Sequence, residues 1–295
     1  MAVATRLTSD GTLYNNGSFD EITKSSNSVD PTAVYSAEFD EVTIQGSGVA
    51  KRETLDGKLL VSKEFDEFSG APVVDPALKV WLDSTNTRSY SGTGSTWNDL
   101  SGNNRNATLI ASPTFENKNG GAINFKSASS NYATLSDLGS LSRFTVEAWV
   151  YFNSIPTTDY FPSIVTNTYL GGSNVNFSLG FNGANGTGFW NGRLCGGFFN
   201  GAWRNTLGFI PAINTWYNVC VTYDGTTVRF YNNGVQDSFL TYSGTPATSG
   251  SGVRIARRWD DTNYIDGFIP VVRIYNRALS ATEVKANYDA LKRRF

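Results

Sequence analysis

The stretch from Thr215 to Leu240, TWYNVCVTYDGTTVRFYNNGVQDSFL, restricts what this chain can fold into more than any other. Apolar residues recur at every second position (Tyr217, Val219, Val221, Tyr223, then Val228 and Phe230), and Asp224-Gly225 and Asn233-Gly234 interrupt the runs. Period two gives strands with one buried face, and both dipeptides accept the positive φ of a two-residue hairpin turn. The stretch therefore predicts a three-stranded meander. A meander is marginal by itself in water, so its apolar face requires a second sheet.

The remaining sequence can supply one. With 295 residues, 29 Gly, 14% aromatic and only 17% charged residues, the chain suits one large sandwich plus a smaller unit better than a helical protein. Leu78–Asp83, Ala122–Phe125, Tyr132–Leu135 and Phe144–Phe152 each read as strands. In the last, Phe144, Val146, Ala148 and Val150 share one face while Thr145, Glu147 and Trp149 share the other. The C-terminus reads as a helix: Ser280 and Glu283 form a capping box, and Val284, Tyr288 and Leu291 make an apolar stripe to lie over the sandwich. Lys292-Arg293-Arg294 then falls at the negative end of the helix dipole, which accounts for the one basic cluster.

Several function classes drop out. The net charge of −2 gives no reason to expect a nucleic-acid partner. Histidine is absent altogether, which removes histidine triads and histidine metal sites. Cys195 and Cys220 cannot build a multi-bridge framework and read as free, buried or semi-buried thiols. Met1 to Asp10 lacks the apolar core of a secretory signal and no window approaches the roughly 18 apolar residues of a span, so neither signal-driven export nor a membrane partner is expected.

Residues 1–72 form a repetitive leader. Val3–Glu21 (VATRLTSDGTLYNNGSFDE) aligns without gaps on Val49–Glu67 (VAKRETLDGKLLVSKEFDE), and Phe39-Asp40-Glu41 is a shorter third copy. Repeats of this kind predict short β-strands that bury little core alone and complete themselves against a partner surface. Phe19, Phe39 and Phe65 are accordingly the expected docking or assembly residues, with the neighbouring acids solvated. Pro72 and Pro76 bracket a stiff linker over residues 73–76, and the large domain is expected over 77–295.

Four motifs occur in order across this larger part. They are Trp97-Asn98-Asp99-Leu100-Ser101-Gly102-Asn103-Asn104, Phe144-Thr145-Val146-Glu147-Ala148-Trp149-Val150, the Trp216–Gly234 hairpin, and Arg273-Ile274-Tyr275-Asn276-Arg277-Ala278-Leu279-Ser280. Together they resemble the laminin-G-like domain, the concanavalin A-like jelly roll of lectins and glucanases. The resemblance implies an all-β jelly-roll sandwich with a short C-terminal helix behind the β leader. Glucanases of that superfamily carry alternating acids on their catalytic strand. Here Glu147 has only Thr145 and Trp149 two residues away, so no enzyme activity is expected, and a hydrolase would need a second carboxylate about 5–10 Å from Glu147 or another acid. A further departure is Ile269-Pro270-Val271-Val272, where relatives often place an acid; the proline suggests an edge strand or a bulge.

Candidate ligand residues come from two stretches. Trp190, Trp203 and Arg204 lie in a run of Gly, Asn and aromatics that suits a sugar site, an oligomer interface or a sandwich rim equally. Trp259, Asp260, Asp261 and Asn263 follow a strand and form the second candidate. No cofactor is expected: calcium needs about six oxygens, and only three stand together there. Asp99, Asn103 and Asn106 read either as ligands or as turn-forming side chains.

The C-terminal run from Leu279 to Tyr288 with its closing Lys-Arg-Arg-Phe, and the leader's Asp-Gly-x-Leu and Phe-Asp-Glu units, resemble virion proteins of tailed phages, especially marine and cyanobacterial ones. That resemblance implies a non-enzymatic virion surface protein, a capsid decoration or tail-fibre component, made in the host cytoplasm and docked on other virion proteins through the leader. A closed homo-oligomer, a trimer, is the expected assembly. The alternative is a carbohydrate-binding lectin module that adsorbs to a cell-surface glycan.

Overall fold

A computed structural model describes residues 75–155, 162–167, 175–182, 192–248, 252–258, 260 and 262–295, together with the backbone of six leader strands. The chain divides into two compact units, Met1–Asp75 and Pro76–Phe295. In the first, β1 (Ala4–Leu7) and β2 (Leu13–Asn16) form a hairpin, while β3 (Thr32–Ala33), β4 (Glu41–Ile44), β5 (Ala50–Glu53) and β6 (Leu59–Val61) form a four-stranded sheet. The sequence repeat is a structural one. Leu7 pairs with Leu13 in the first copy, and the aligned residues Glu53 and Leu59 pair in the second. Phe19, Phe39 and Phe65 lie outside the described residues.

The second unit is an antiparallel sandwich. Its strands are β7 (Leu78–Asp83), β8 (Thr96–Trp97), β9 (Ala107–Ile110), β10 (Thr114–Glu116), β11 (Ala122–Phe125) and β12 (Tyr132–Leu135). There follow β13 (Phe144–Phe152), β14 (Ser163–Asn167), β15 (Ser178–Phe181), β16 (Leu194–Phe199) and β17 (Trp203–Leu207). Last come β18 (Trp216–Tyr223), β19 (Thr227–Asn232), β20 (Val235–Thr241), β21 (Val253–Ile255), β22 (Gly267–Tyr275) and the helix α1 (Ala281–Leu291). One sheet runs β10-β11-β22-β13-β18-β19-β20, with β7 also paired to β22; the other runs β17-β16-β15-β14-β21-β12-β9-β8.

The alternation of β13 decides how the layers meet. Phe144, Val146, Ala148, Val150 and Phe152 enter the core, where they are joined by Val165, Leu179, Phe181, Phe198 and Ile255 of the second sheet. Phe144 meets Phe198 edge-on at 6.3 Å between ring centroids, and Phe152 meets Phe181 at 5.0 Å. Each buried phenyl contributes roughly 1.5–3 kcal/mol, so this seam carries much of the stability. The sheets approach closely at Gly196, where an added Cβ would lie 2.5 Å from Val221.

The central meander is β18-β19-β20. Asn233 (φ 50°) and Gly234 (φ 76°) make the expected two-residue turn, with Asn232 opposite Val235. The other turn is longer than expected, spanning 224–226 between the strands. There the Asp224 side chain reinforces a long backbone bond to the Thr227 carbonyl (3.4 Å): Oδ1 accepts from the Thr226 and Thr227 amides, both at 2.8 Å. Pro270 decides between the two expected readings. It sits in β22, an internal strand flanked by β13 and β7, and the register between β13 and β22 shifts beside it. The proline marks a bulge, not an edge, because a missing N–H is tolerated where the ladder is already broken.

The helix α1 starts at a complete capping box of Ser280 and Glu283. Its buried Leu291 groups with Trp149 and Val271, and Tyr288 stacks on Trp149 at 5.6 Å. Beyond it Arg294 does more than neutralise a dipole: its Nη1 lies 3.0 Å from Oδ2 of the buried Asp83.

Candidate functional site

The outer face of the first sheet is closed by α1. Opposed residues across its strands are Trp81, Arg273, Glu147, Cys220 and Tyr231. Glu147 is 1% exposed; Oε1 accepts from Asn218 Nδ2 at 2.9 Å and Oε2 from Asn287 Nδ2 at 2.8 Å, with Arg273 Nη1 3.9 Å away. This carboxylate is spent on amides and one guanidinium. It anchors the helix and has no open side toward a substrate. Burial pushes the neighbouring Tyr275 hydroxyl up to about 12 and the Cys220 thiol well above its usual range.

The Trp97–Asn106 segment resolves into a turn. Asp99 Oδ1 accepts from the amides of Trp81 (2.8 Å) and Ser101 (2.9 Å), and Oδ2 from Ser101 Oγ (2.7 Å) and the Arg105 amide (3.0 Å). Asn103 Nδ2 donates to the Leu78 carbonyl at 2.9 Å, and Asn106 Oδ1 accepts from the Asp99 amide at 2.9 Å. These side chains tie β7 to the turn.

The outer face of the second sheet is different. Cross-strand partners place Asn205, Gly197, Ser178, Thr166, Arg254, Thr134, Thr108 and Thr96 in one row across all eight strands. Their neighbours Gly196, Leu179, Val165, Ile255, Ala133 and Leu109 form the matching row on the core side. The outer row is thus a band of hydroxyls and amides, with Arg254 near its middle. Arg254 Nη1 donates to Thr134 Oγ1 at 2.8 Å. Arg254 and Thr134 keep part of their surface, whereas Thr166 is buried.

Aromatic groups flank this band at two places. At the β16–β17 end Trp203 opposes Phe199, edge-on at 5.7 Å, and Asn205 Nδ2 reaches Asn182 Oδ1 at 3.4 Å. Beside Thr134, at the start of β12, Arg257 lies over the rings of Tyr132 and Tyr264, 4.3 and 5.3 Å from their centroids. Cys195 also belongs to this face; burial pushes its thiol up to about 12 against a lowering hydrogen bond from Asn205.

The sequence candidates separate accordingly. Trp203 lies on the outer face, whereas Arg204 turns the other way, stacks on Tyr242 at 4.1 Å and donates from Nε to Asn200 Oδ1 at 3.2 Å. Asp260 Oδ1 accepts from Thr262 Oγ1 at 2.7 Å, and its Oδ2 is 3.3 Å from Arg258 Nη1. Asn263, at φ 46°, donates to Thr262 Oγ1 at 2.9 Å. Trp190, Trp259 and Asp261 lie outside the described residues. Among the described residues no three of His, Cys, Asp and Glu gather into a metal site. The polar row itself went unnoticed in the sequence, although one signal was present: the eight strands of this sheet contain no Asp, Glu or Lys.

A family model described as the concanavalin A-like lectin/glucanases superfamily matches residues 126–285. No curated protein is similar to the chain in sequence. Among solved structures, domain 4 of an extracellular arabinanase from Geobacillus stearothermophilus, in complex with arabinotriose, superposes with a TM-score of 0.52 at 18% identity, covering 71% of this chain and 97% of that domain. The binding domain of Paraclostridial Mosquitocidal Protein 1 gives 0.55 at 16% identity, covering 72% of this chain and 52% of that one. A sialidase from Trypanosoma rangeli, in complex with the inhibitor DANA, gives 0.53 at 14% identity, covering 97% of this chain and 48% of that one. The chain therefore spans about half the length of the last two.

Proposed function

Because the chain belongs to the concanavalin A-like lectin/glucanase superfamily, we propose that its jelly roll is a non-catalytic carbohydrate-recognition domain. The observation that carries the reading is the outer row of the second sheet. The row holds the Asn205 amide and hydroxyls of β15, β12, β9 and β8 beside the buried Thr166, and aromatic rings flank it at Trp203 and at Tyr132. Sugars are bound by that combination, with apolar ring faces covered by aromatics and hydroxyls matched by fixed polar groups. The fate of Glu147 supports the non-catalytic part, since glycoside hydrolysis needs two carboxyls that both reach the scissile bond. A glycan array probed with the full-length protein, with calcium and again with chelator, tests the reading. Specific binding that Trp203→Ala or Asn205→Ala weakens by tenfold or more is expected. Hydrolysis of any bound glycan would overturn the non-catalytic assignment, and the absence of binding to every glycan would overturn the recognition role.

The leader suggests where such a domain works. Two copies of one hairpin in matching register are consistent with a unit made for docking. We place the protein on the surface of a tailed-phage virion, as a decoration or fibre component held by the leader, assembled as a trimer and displaying its jelly roll toward a cell-surface glycan. Light scattering of the full-length protein should give the mass of a trimer. Replacing Phe19, Phe39 and Phe65 together by Ser should abolish attachment to virions; attachment at the wild-type level would sink this placement.

A further inference from the structure

We infer that the outer face of the first sheet, next to the C-terminal end of α1, carries a cation-binding aromatic cage of Phe268, Tyr151 and Trp216, whose ligand is a quaternary ammonium group. The cage lies on the other sheet from the polar row, so the inference stands apart from the carbohydrate-recognition reading. β13 sends Glu147, Trp149 and Tyr151 to this face in succession. Asn287 of α1 holds Glu147, and Trp149 stacks with Tyr288 and Phe295, whose ring centroids are 5.6 and 4.4 Å away. Tyr151 comes one step further, opposite Trp216 of β18 and Phe268 of β22. A regular ladder would not give that row. Val271 opposes Trp149 and Phe268 opposes Tyr151, yet Val271 and Phe268 are three positions apart, an odd step that points two side chains of a strand to opposite faces. The bulge beside Pro270 supplies the extra residue and returns Phe268 to the outer face.

The three rings are tilted toward one another and held. The Trp216 and Phe268 centroids lie 5.2 and 5.7 Å from that of Tyr151, at 53° and 80° to its plane, and 6.3 Å from each other. Trp216 Nε1 donates to Asn119 Oδ1 at 3.1 Å, and Phe295 packs 4.8 Å from the indole. The Tyr151 hydroxyl donates to Asn214 Oδ1, also at 3.1 Å. Ring faces are negative, so a preorganised cluster of them favours a cation.

The cage already holds one. Lys118, between β10 and β11, sets its Nζ 3.3 Å from the centroid of Tyr151 and 4.6 Å from that of Phe268. A primary ammonium is compact and strongly hydrated, and sitting on rings strips water from it. A methylated ammonium has little hydration to lose, and its bulk in the same place reaches Trp216, the strongest cation acceptor among the ring types. The Lys118 side chain can swing aside without its turn moving. Asn119 pins that turn to Trp216 and, through Nδ2, to the Arg294 carbonyl at 2.6 Å, while the Gly121 amide donates to the Lys118 carbonyl at 3.0 Å. Lys118 is thus a built-in competitor for the site.

The test is a calorimetric titration of the full-length protein with choline, tetramethylammonium and dimethylbutanol, the uncharged carbon isostere of choline. Both cations should bind with a dissociation constant of about 1 mM or tighter, and dimethylbutanol at least about tenfold more weakly. Lys118→Gln keeps the stem but removes the competing charge, and should tighten choline binding by about two- to fivefold. Trp216→Leu and Tyr151→Leu should each weaken it by about tenfold, whereas Tyr151→Phe, which keeps the ring, should stay within about threefold of the wild type. Should the leucine variants not fold, Lys118→Gln and the uncharged isostere carry the test. Cosedimentation with phosphatidylcholine vesicles separates a lipid headgroup from a soluble ligand. Equal binding of dimethylbutanol and choline overturns the cation reading. Choline binding that survives both leucine substitutions overturns the cage. Absence of choline binding to both the wild type and Lys118→Gln overturns the inference, and the glycan array result stands or falls separately.

Discussion

Glu147 and Asn287 are 140 positions apart in sequence, yet Asn287 Nδ2 donates to Glu147 Oε2 at 2.8 Å, fixing α1 over the middle of β13. The carboxylate also accepts from Asn218 and faces Arg273, all under the helix. Removing it leaves buried donors and a guanidinium uncompensated, which typically costs about 3 kcal/mol or more. Glu147→Ala should therefore lower stability by that order in urea unfolding. Glu147→Gln, which keeps the shape but turns an amide donor toward one of the asparagines, should cost about 1–2 kcal/mol. Neither should change glycan binding at native pH. A stability curve for Glu147→Gln that overlays the wild type would show that the contact does not hold the helix.

The helix cap should loosen in acid. Hydrogen bonds from Arg277, and after them those at Ser280, lower the Glu283 carboxyl from its ordinary 4.5 to about 2 despite partial burial. A depressed folded-state pKa means that the stabilisation is complete above about 4.5 and is lost as pH falls toward 2. Asp289 is lowered too, through Lys285 and Lys292, and fades in the same direction. Both acids are exposed enough for solvent to screen much of the effect. Protection factors of the first helical turn's amides, taken against the intrinsic exchange rate at each pH, should fall between pH 4.5 and 2 before those of the sandwich core do. Loss of the two together would contradict a local cap.

Cys195 and Cys220 are free and buried, and burial drives both thiols upward. The thiolate is the reactive form, so neither should react with a disulfide reagent at pH 8. Ellman titration is expected to give no thiol per native chain and two after denaturation. Rapid labelling of one thiol in the native protein would show that one of the two sites opens to solvent.

Much of the sandwich was legible because it is local. Period-two patterning marked β7, β11, β12, β13 and the meander, and Ser280 with Glu283 marked the start of α1. What was not legible depends on cross-strand register. Trp203 and Arg204 are adjacent in sequence and read as one site, but a strand sends successive side chains to opposite faces, so one joins the outer row and the other Tyr242. Thr166, Arg254 and Thr134 come from β14, β21 and β12, and nothing in any of those short strands announces the other two. Pro270 left two readings open for a related reason: whether a proline lies at an edge or a bulge is set by the partner strands, not by its neighbours in sequence.

Gly234 links the meander to the helix. Its φ of 76° lies in the left-handed region, and a Cβ there would come within 3.0 Å of Tyr288, whose ring stacks on Trp149. Gly234→Ala should therefore incur two costs at once. The backbone term is about 1–2 kcal/mol for a side chain held left-handed. The steric term pushes Tyr288 from Trp149 and should red-shift tryptophan emission as that contact opens. Asn233→Gly, at φ 50° in the same turn, relieves a left-handed residue but removes the Oδ1 that accepts from the Asn218 amide at 2.9 Å, so it should cost about 1 kcal/mol without moving Tyr288. Comparing the two separates turn strain from helix displacement. If Gly234→Ala lost stability with an unaltered emission spectrum, the turn alone would bear the cost and Tyr288 would have room to move.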